Sequence, residues 1–289
     1  AFRLRAEYSG GSVPETRALH DPPPPARSLE TMKRDSIILP PENVPVLPRN
    51  LSRGTRAPVV YNVGDTAVFR LPVDFDNSSA GFTDAPAVVL YKSDYCYIYF
   101  TSNLATHSNA GMVATNLGLD FDSTIHPRLT VRYGYEWGGG PTGDGGVDED
   151  KRITILFENV TANPPGGYYS SRNQLTKTQD ANSNQREMFV ICHNNDYLTK
   201  RYARHATVAH EFQHLIEYNT VYKKYGTYPL SFFNEGLSQN AEGYGGYGPD
   251  SRMSYVQADP RLSYALWGMQ NKDINNSYGA AFAVVEYMV

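Results

Sequence analysis

Cysteine is scarce, with two residues, Cys96 and Cys192, in a chain of 289. That excludes a small disulfide-stapled domain and the cysteine-rich zinc modules, which need several thiols at short spacing. Both cysteines fall in apolar runs of strand length, where the residue serves equally as a small buried apolar group or as half of a disulfide. Long hydrophobic runs are also missing, since no stretch approaches the ~18 apolar residues of a membrane span. Nor is there an extended basic block. Lys and Arg total 26 against 30 Asp and Glu, a net charge of −4, so nucleic acid is not an expected partner. The opening A-F-R-L-R-A-E-Y lacks the apolar core of a signal peptide, so an exported form is expected to have lost that segment already.

Proline is concentrated at the amino-terminal end. D-P-P-P-P-A at Asp21–Ala26, L-P-P-E-N at Leu39–Asn43 and V-P-V-L-P at Val44–Pro48 break helices and central strands, because proline fixes φ and lacks a donor. Residues 1–57 therefore read as an extended leader or pro-segment. Residues 58–105 read as a small β-rich unit with strands at Thr66–Val73, Ala87–Tyr91 and Tyr95–Phe100. Residues 106–289 hold a helix near Ala110–Phe121, strand-length runs at Arg152–Val160 and Arg186–His193, and a last apolar helix over Asn275–Val289. That helix stops without a capping residue, so the natural chain is expected to continue. The fold class expected is α+β. The glycine-rich loop Trp137–Asp150 carries Asp144, Asp148 and Asp150, oxygen donors that make it a candidate Ca2+ loop, although the spacing is not that of an EF-hand.

The organising stretch is Thr207–Asn219, T-V-A-H-E-F-Q-H-L-I-E-Y-N. On a helix, His210 and His214 lie one turn apart on one face, where two imidazoles reach one zinc ion. Glu211 is then beside the ion rather than on it, the position of a general base toward a water. Val208, Phe212 and Leu215 supply an apolar stripe that buries the helix. A third ligand is needed, and Glu235 in F-F-N-E-G-L-S (Phe232–Ser238) follows His214 after 20 intervening residues. That gap lets the chain turn through Tyr222–Pro229 and return a carboxylate from a second helix. Glu242 is the fallback ligand. Two histidines and one glutamate leave a tetrahedral position open, the arrangement of a catalytic site. His20, His107, His126, His193 and His205 are isolated and read as structural, and Lys200, Arg201, Arg204 and His205 read as a solvated cationic face.

With these residues in view, the sequence resembles the gluzincin zinc peptidases, and more closely the bacterial neutral metallopeptidases of the hyicolysin type. The likeness runs from about Tyr61 to the end: V-G-D-T at Val63–Thr66, D-x-D-K-R-I-T-I-L at Asp148–Leu156, G-Y-Y at Gly167–Tyr169, S-N-Q-R-E-M-F at Ser183–Phe189, then A-H-E-F-Q-H, N-E-G-L-S and S-Y-G-A-A-F at Ser277–Phe282. The resemblance implies a secreted or cell-surface bacterial zinc endopeptidase with a gluzincin-like catalytic domain acting on protein or peptide substrates. No stretch like G-x-M-E-N for gripping a substrate amino terminus is present, which disfavours a zinc aminopeptidase. An adhesin that keeps the zinc fold without turnover is the rival from another class, and the intact His210, Glu211, His214 and Glu235 set weighs against it.

The resemblance also implies finer roles. Tyr278 is the candidate oxyanion donor, with Tyr244, Tyr247, Tyr255 or the loop Gly243–Gly248 as substitutes. Gly236 and Gln239 are candidates for orienting a histidine, Gln239 standing where the family often has an acidic residue one turn after the third ligand. Met188–His193 is expected to border the cleft and pair with extended substrate.

Overall fold

The computed structural model describes residues 36–37, 59–193, 197–227, 229–248 and 274–288. One curled sheet of mixed direction carries helices against one face, so the expected α+β class holds. Its strands are β1 (Ser36–Ile37), β2 (Thr66–Pro72), β3 (Phe82–Lys92), β4 (Cys96–Thr101), β5 (Ile153–Glu158), β6 (Gly167–Ser170) and β7 (Met188–Cys192), in the order β1-β6-β7-β5-β4-β3-β2. The longer helices are α1 (Ala110–Asp120), α2 (His126–Tyr133), α3 (Arg201–Glu217), α4 (Ser231–Tyr244) and α5 (Ile274–Met288).

Strands β4, β5 and β7 are parallel neighbours, while β2, β3 and β4 form an antiparallel meander and β6 runs antiparallel outside β7. Parallel neighbours cannot be joined by a hairpin. Accordingly β4 reaches β5 through α1, a π-helical turn at Phe121–Ile125 and α2, and β6 is laid down before β7 enters between it and β5. Strands β2 to β4, expected as a unit of their own over 58–105, are hydrogen-bonded into this same sheet, with Cys96 opposite Ile153 and Phe100 opposite Phe157. Of the leader expected over 1–57, Ser36–Ile37 pair in parallel with Tyr169 and Ser170 of β6. The rest lies outside the described residues.

Alternation along the central strands divides the core. Ile98, Phe100, Ile155, Phe157, Phe189 and Ile191 face the helices, joining Val113, Leu117, Phe121, Val208, Phe212 and Leu215. Tyr97, Tyr99, Leu156, Met188 and Val190 face the other way, where the curl of the sheet brings up Phe69 and Leu71 of β2. Cys96 belongs to the first set and Cys192 to the second, so the two thiols lie on opposite faces and are not joined in a disulfide. The second face is pinned by Arg186, whose guanidinium stands 4.6 Å from the Tyr61 ring and 5.1 Å from that of Phe69, with Nη2 donating to Tyr61 Oη at 2.7 Å.

The cationic stretch before the H-E-x-x-H motif is a solvated face only in part, with Arg201 exposed and Lys200 half-buried. Arg204 and His205 are buried, Arg204 donates to the Tyr197 carbonyl, and Arg201 and His205 both close on Asp120 at the end of α1, His205 at 3.0 Å. These contacts fix the start of α3 against α1.

Candidate metal centre

Helix α3 is buried over its whole second half because two neighbours cover it. Val208, Phe212 and Leu215, the stripe expected from the sequence, pack on the sheet, while His210, Gln213, His214 and Glu217 turn toward α4. The chain leaves α3 through a π-helical turn at Tyr218–Tyr222 and stops at Gly226, whose φ of 72° is the left-handed conformation that ends helices. It then reverses into α4. Glu235 sits one turn inside that helix, behind Phe232 and Phe233.

His210, His214 and Glu235 are all buried, and one donor atom from each lies within 4.8 Å of the others. Among the described residues this is the one group of three or more such side chains able to hold a metal ion. His210 Nε2 is 3.2 Å from Glu235 Oε2, and His214 Nε2 is 3.8 Å from Glu235 Oε1. The donor chemistry fits. On the far side of the His210 ring, Nδ1 is 2.9 Å from Glu242 Oε1. A carboxylate only accepts, so Glu242 favours a proton on Nδ1, and a cation that replaced the proton facing Glu235 would meet the Nε2 lone pair. Gln239 Nε2 donates to the same Glu242 oxygen at 2.7 Å and holds it in place. On the second ligand, Ser238 Oγ stands 3.1 Å from His214 Nδ1 and donates to Gln213 Oε1 at 2.5 Å.

Without a cation, a proton on His210 takes its place. Burial depresses the His210 pKa, but the carboxylates of Glu235 and Glu242 outweigh it and raise the group well above the usual imidazole range. Burial pushes His214 down to about 4. Burial, and then the charge of Glu235, raise Glu217 to about 8. Four carboxylates, Glu211, Glu217, Glu235 and Glu242, are buried around two imidazoles. Such a concentration of anionic groups fits a cation at the centre.

Glu242, given by the sequence only as a fallback ligand, therefore sits behind the first histidine. The sequence signal was available: residues 235 and 242 are two turns apart and share a helix face. Tyr278 is fully buried on α5, with its ring 6.4 Å from that of His210. The substitutes are placed elsewhere: Tyr247 donates to Asp120 at 3.1 Å, and Tyr244 lies under the Arg132 guanidinium. Tyr255 falls outside the described residues.

One expectation needs correction. Met188–His193 cannot pair with a substrate along its length, because β7 has β5 on one side and β6 on the other. Both β6 and β7 lie against α3, and a Cβ at Gly167 of β6 would stand 3.2 Å from Glu211 Cγ. Among the described residues, the calcium candidates are not part of any converging group of three acids or histidines. Asp144 and Asp148 accept the amides of Gly146 and Asp150, ordinary turn-closing contacts, and Asp150 is taken up by Tyr97 Oη at 2.7 Å and Arg152 Nη1 at 2.9 Å.

No family model and no curated protein matches the chain. No helix among the described residues is long and apolar enough to cross a membrane.

Proposed function

We propose that the protein is a secreted or cell-surface zinc endopeptidase of gluzincin type, similar to the hyicolysin-type peptidases, acting on extended protein substrates. The observation that carries this reading is the buried convergence of His210, His214 and Glu235, with Glu242 behind His210 and Glu211 on the same turn as the first ligand. Zinc held there would supply a Lewis acid that acidifies a water and polarises the scissile carbonyl.

The chain's own groups supply the remainder. Glu211, buried at the edge of the centre, takes the proton of the attacking water and returns it to the leaving amine. Tyr278 donates a hydrogen bond to the developing oxyanion from the α5 side. Glu242 holds the proton of His210 at Nδ1 and keeps that ring oriented. Hydrolysis of casein by the purified chain, abolished by a chelator and restored by zinc, tests the activity. Cleavage of a peptide with a blocked amino terminus separates endopeptidase from aminopeptidase, and stoichiometric zinc without hydrolysis would move the protein to the binding class.

A further inference from the structure

The motif G-Y-Y at Gly167–Tyr169 has no chemistry of its own, yet its first residue lies against the side chain to which the base role is given. Gly167 is not among the glycines with positive φ, so backbone freedom is not the reason for it. Space is the reason. A Cβ at this position would stand 2.7 Å from Thr207 Cγ2, 2.9 Å from the Val190 carbonyl oxygen and 3.2 Å from Glu211 Cγ. The first two are closer than packed atoms approach, and two of the three neighbours are fixed. Val190 O belongs to β7, which pairs with β6 at Tyr168, and Thr207 is held in its rotamer by Oγ1 bonds to the Ala203 carbonyl at 3.0 Å and Tyr197 Oη at 3.2 Å. Thr207 and Glu211 sit one turn apart on α3, so relieving the clash displaces the turn that carries Glu211.

We propose that Gly167 is a positioning residue for Glu211: lacking a side chain, it lets β6 close on α3 at Thr207 and sets where the Glu211 carboxylate stands relative to the metal centre. This rests on the reading of Glu211 as the base. Thr207 lies one helical turn before Glu211, so the contact acts on the base both directly and through the turn that carries it. His210 and His214 share this face of α3, three and seven residues after Thr207, but neither is among the three atoms nearest a Cβ at Gly167, and their rings bond to Glu235, Glu242 and Ser238 of α4.

Steady-state kinetics on a blocked peptide, with zinc content measured in parallel, test this on the full chain. Gly167→Ala is expected to lower kcat on the order of 10²-fold, the cost of displacing a catalytic group by about 1 Å, with KM within about twofold and one zinc per chain retained. Thr207→Ser removes the methyl nearest the new Cβ and keeps the hydroxyl. Placed in the Gly167→Ala background, it is expected to recover about tenfold in kcat, which a merely destabilised chain would not do. A wild-type kcat in Gly167→Ala, zinc lost in step with activity, or no recovery in the double variant overturns the proposal. Should Gly167→Ala fail to fold, the double variant is compared with Thr207→Ser alone, and equal kcat values overturn it. Absence of chelator-sensitive hydrolysis in the wild-type chain sinks the peptidase reading itself, whereas the outcomes above sink only the role of Gly167.

Discussion

Glu211 and Glu242 are both buried glutamates near His210, one in the motif and one behind the ring, and they answer to different measurements. Glu211→Gln keeps volume and polarity but cannot accept a proton. It is expected to retain one zinc per chain while kcat falls by about 10²–10⁴-fold, read from peptide hydrolysis beside metal analysis. Near wild-type turnover would remove Glu211 as the base. Glu242→Ala takes away the acceptor on His210 Nδ1 and leaves the Gln239 amide beside it. Zinc affinity is expected to weaken about 10–100-fold by chelator competition, and an unchanged affinity would show that Glu242 does not orient the ligand. The motif histidines were legible because helical spacing alone places them on one face, and Glu235 because a third donor was chemically required. The orienting role of Glu242 was less legible, because an acid for that role is expected one turn after Glu235, where Gln239 stands, rather than two turns after it. Gly167 left no signal of its own, since what a glycine faces is decided by a partner far away in sequence.

Among the elements, those with a strong period were legible and the short ones were not. Helices α1, α3 and α5 and strands β4, β5 and β7 fall close to where apolar spacing places them, because each buries a face or both faces in the core. Strand β6 has four residues, G-Y-Y-S, too few to show alternation, so the sequence did not reveal that β7 has a hydrogen-bonded neighbour on each side. The glycine-rich acidic loop read as a cation site because acidity and flexibility are visible in composition, whereas turn-closing bonds are not. Helix α4 illustrates an element-level constraint beside the site. A Cβ at Gly236, next to the third ligand, would meet Val285 Cγ2 at 2.8 Å and the Ala281 carbonyl oxygen at 2.9 Å, so this glycine allows α4 and α5 to pack closely. Gly236→Ala is expected to destabilise the protein by about 1–3 kcal/mol through overpacking. Urea unfolding measures it, and a stability equal to wild type would mean that α5 can shift freely.

For the molecule as a whole, the centre is a stability question before it is a catalytic one. Glu217 follows His214 by three residues, is 3% exposed, and neither of its oxygens meets a partner at full hydrogen-bond geometry. Burial first, and then the negative charge of Glu235, raise its pKa from an ordinary 4.5 to about 8, with the Gln213 amide opposing only weakly. The folded chain thus binds this proton more tightly than the unfolded chain does, so the group's contribution is most favourable below the unfolded value. It is lost as pH rises from about 4.5 to about 8. The slope attributable to one such group is at most about 1.4 kcal/mol per pH unit. With zinc removed by a chelator, the stability of wild type relative to Glu217→Gln is expected to fall steadily between pH 5 and pH 8, read from urea midpoints in buffers of roughly those values. Saturating zinc should flatten that difference, since a cation beside Glu235 favours a charged Glu217. A difference that stays level across the range in the metal-free protein would show that Glu217 is solvated or partnered in solution, and that the buried carboxylates do not make the metal-free centre sensitive to alkali.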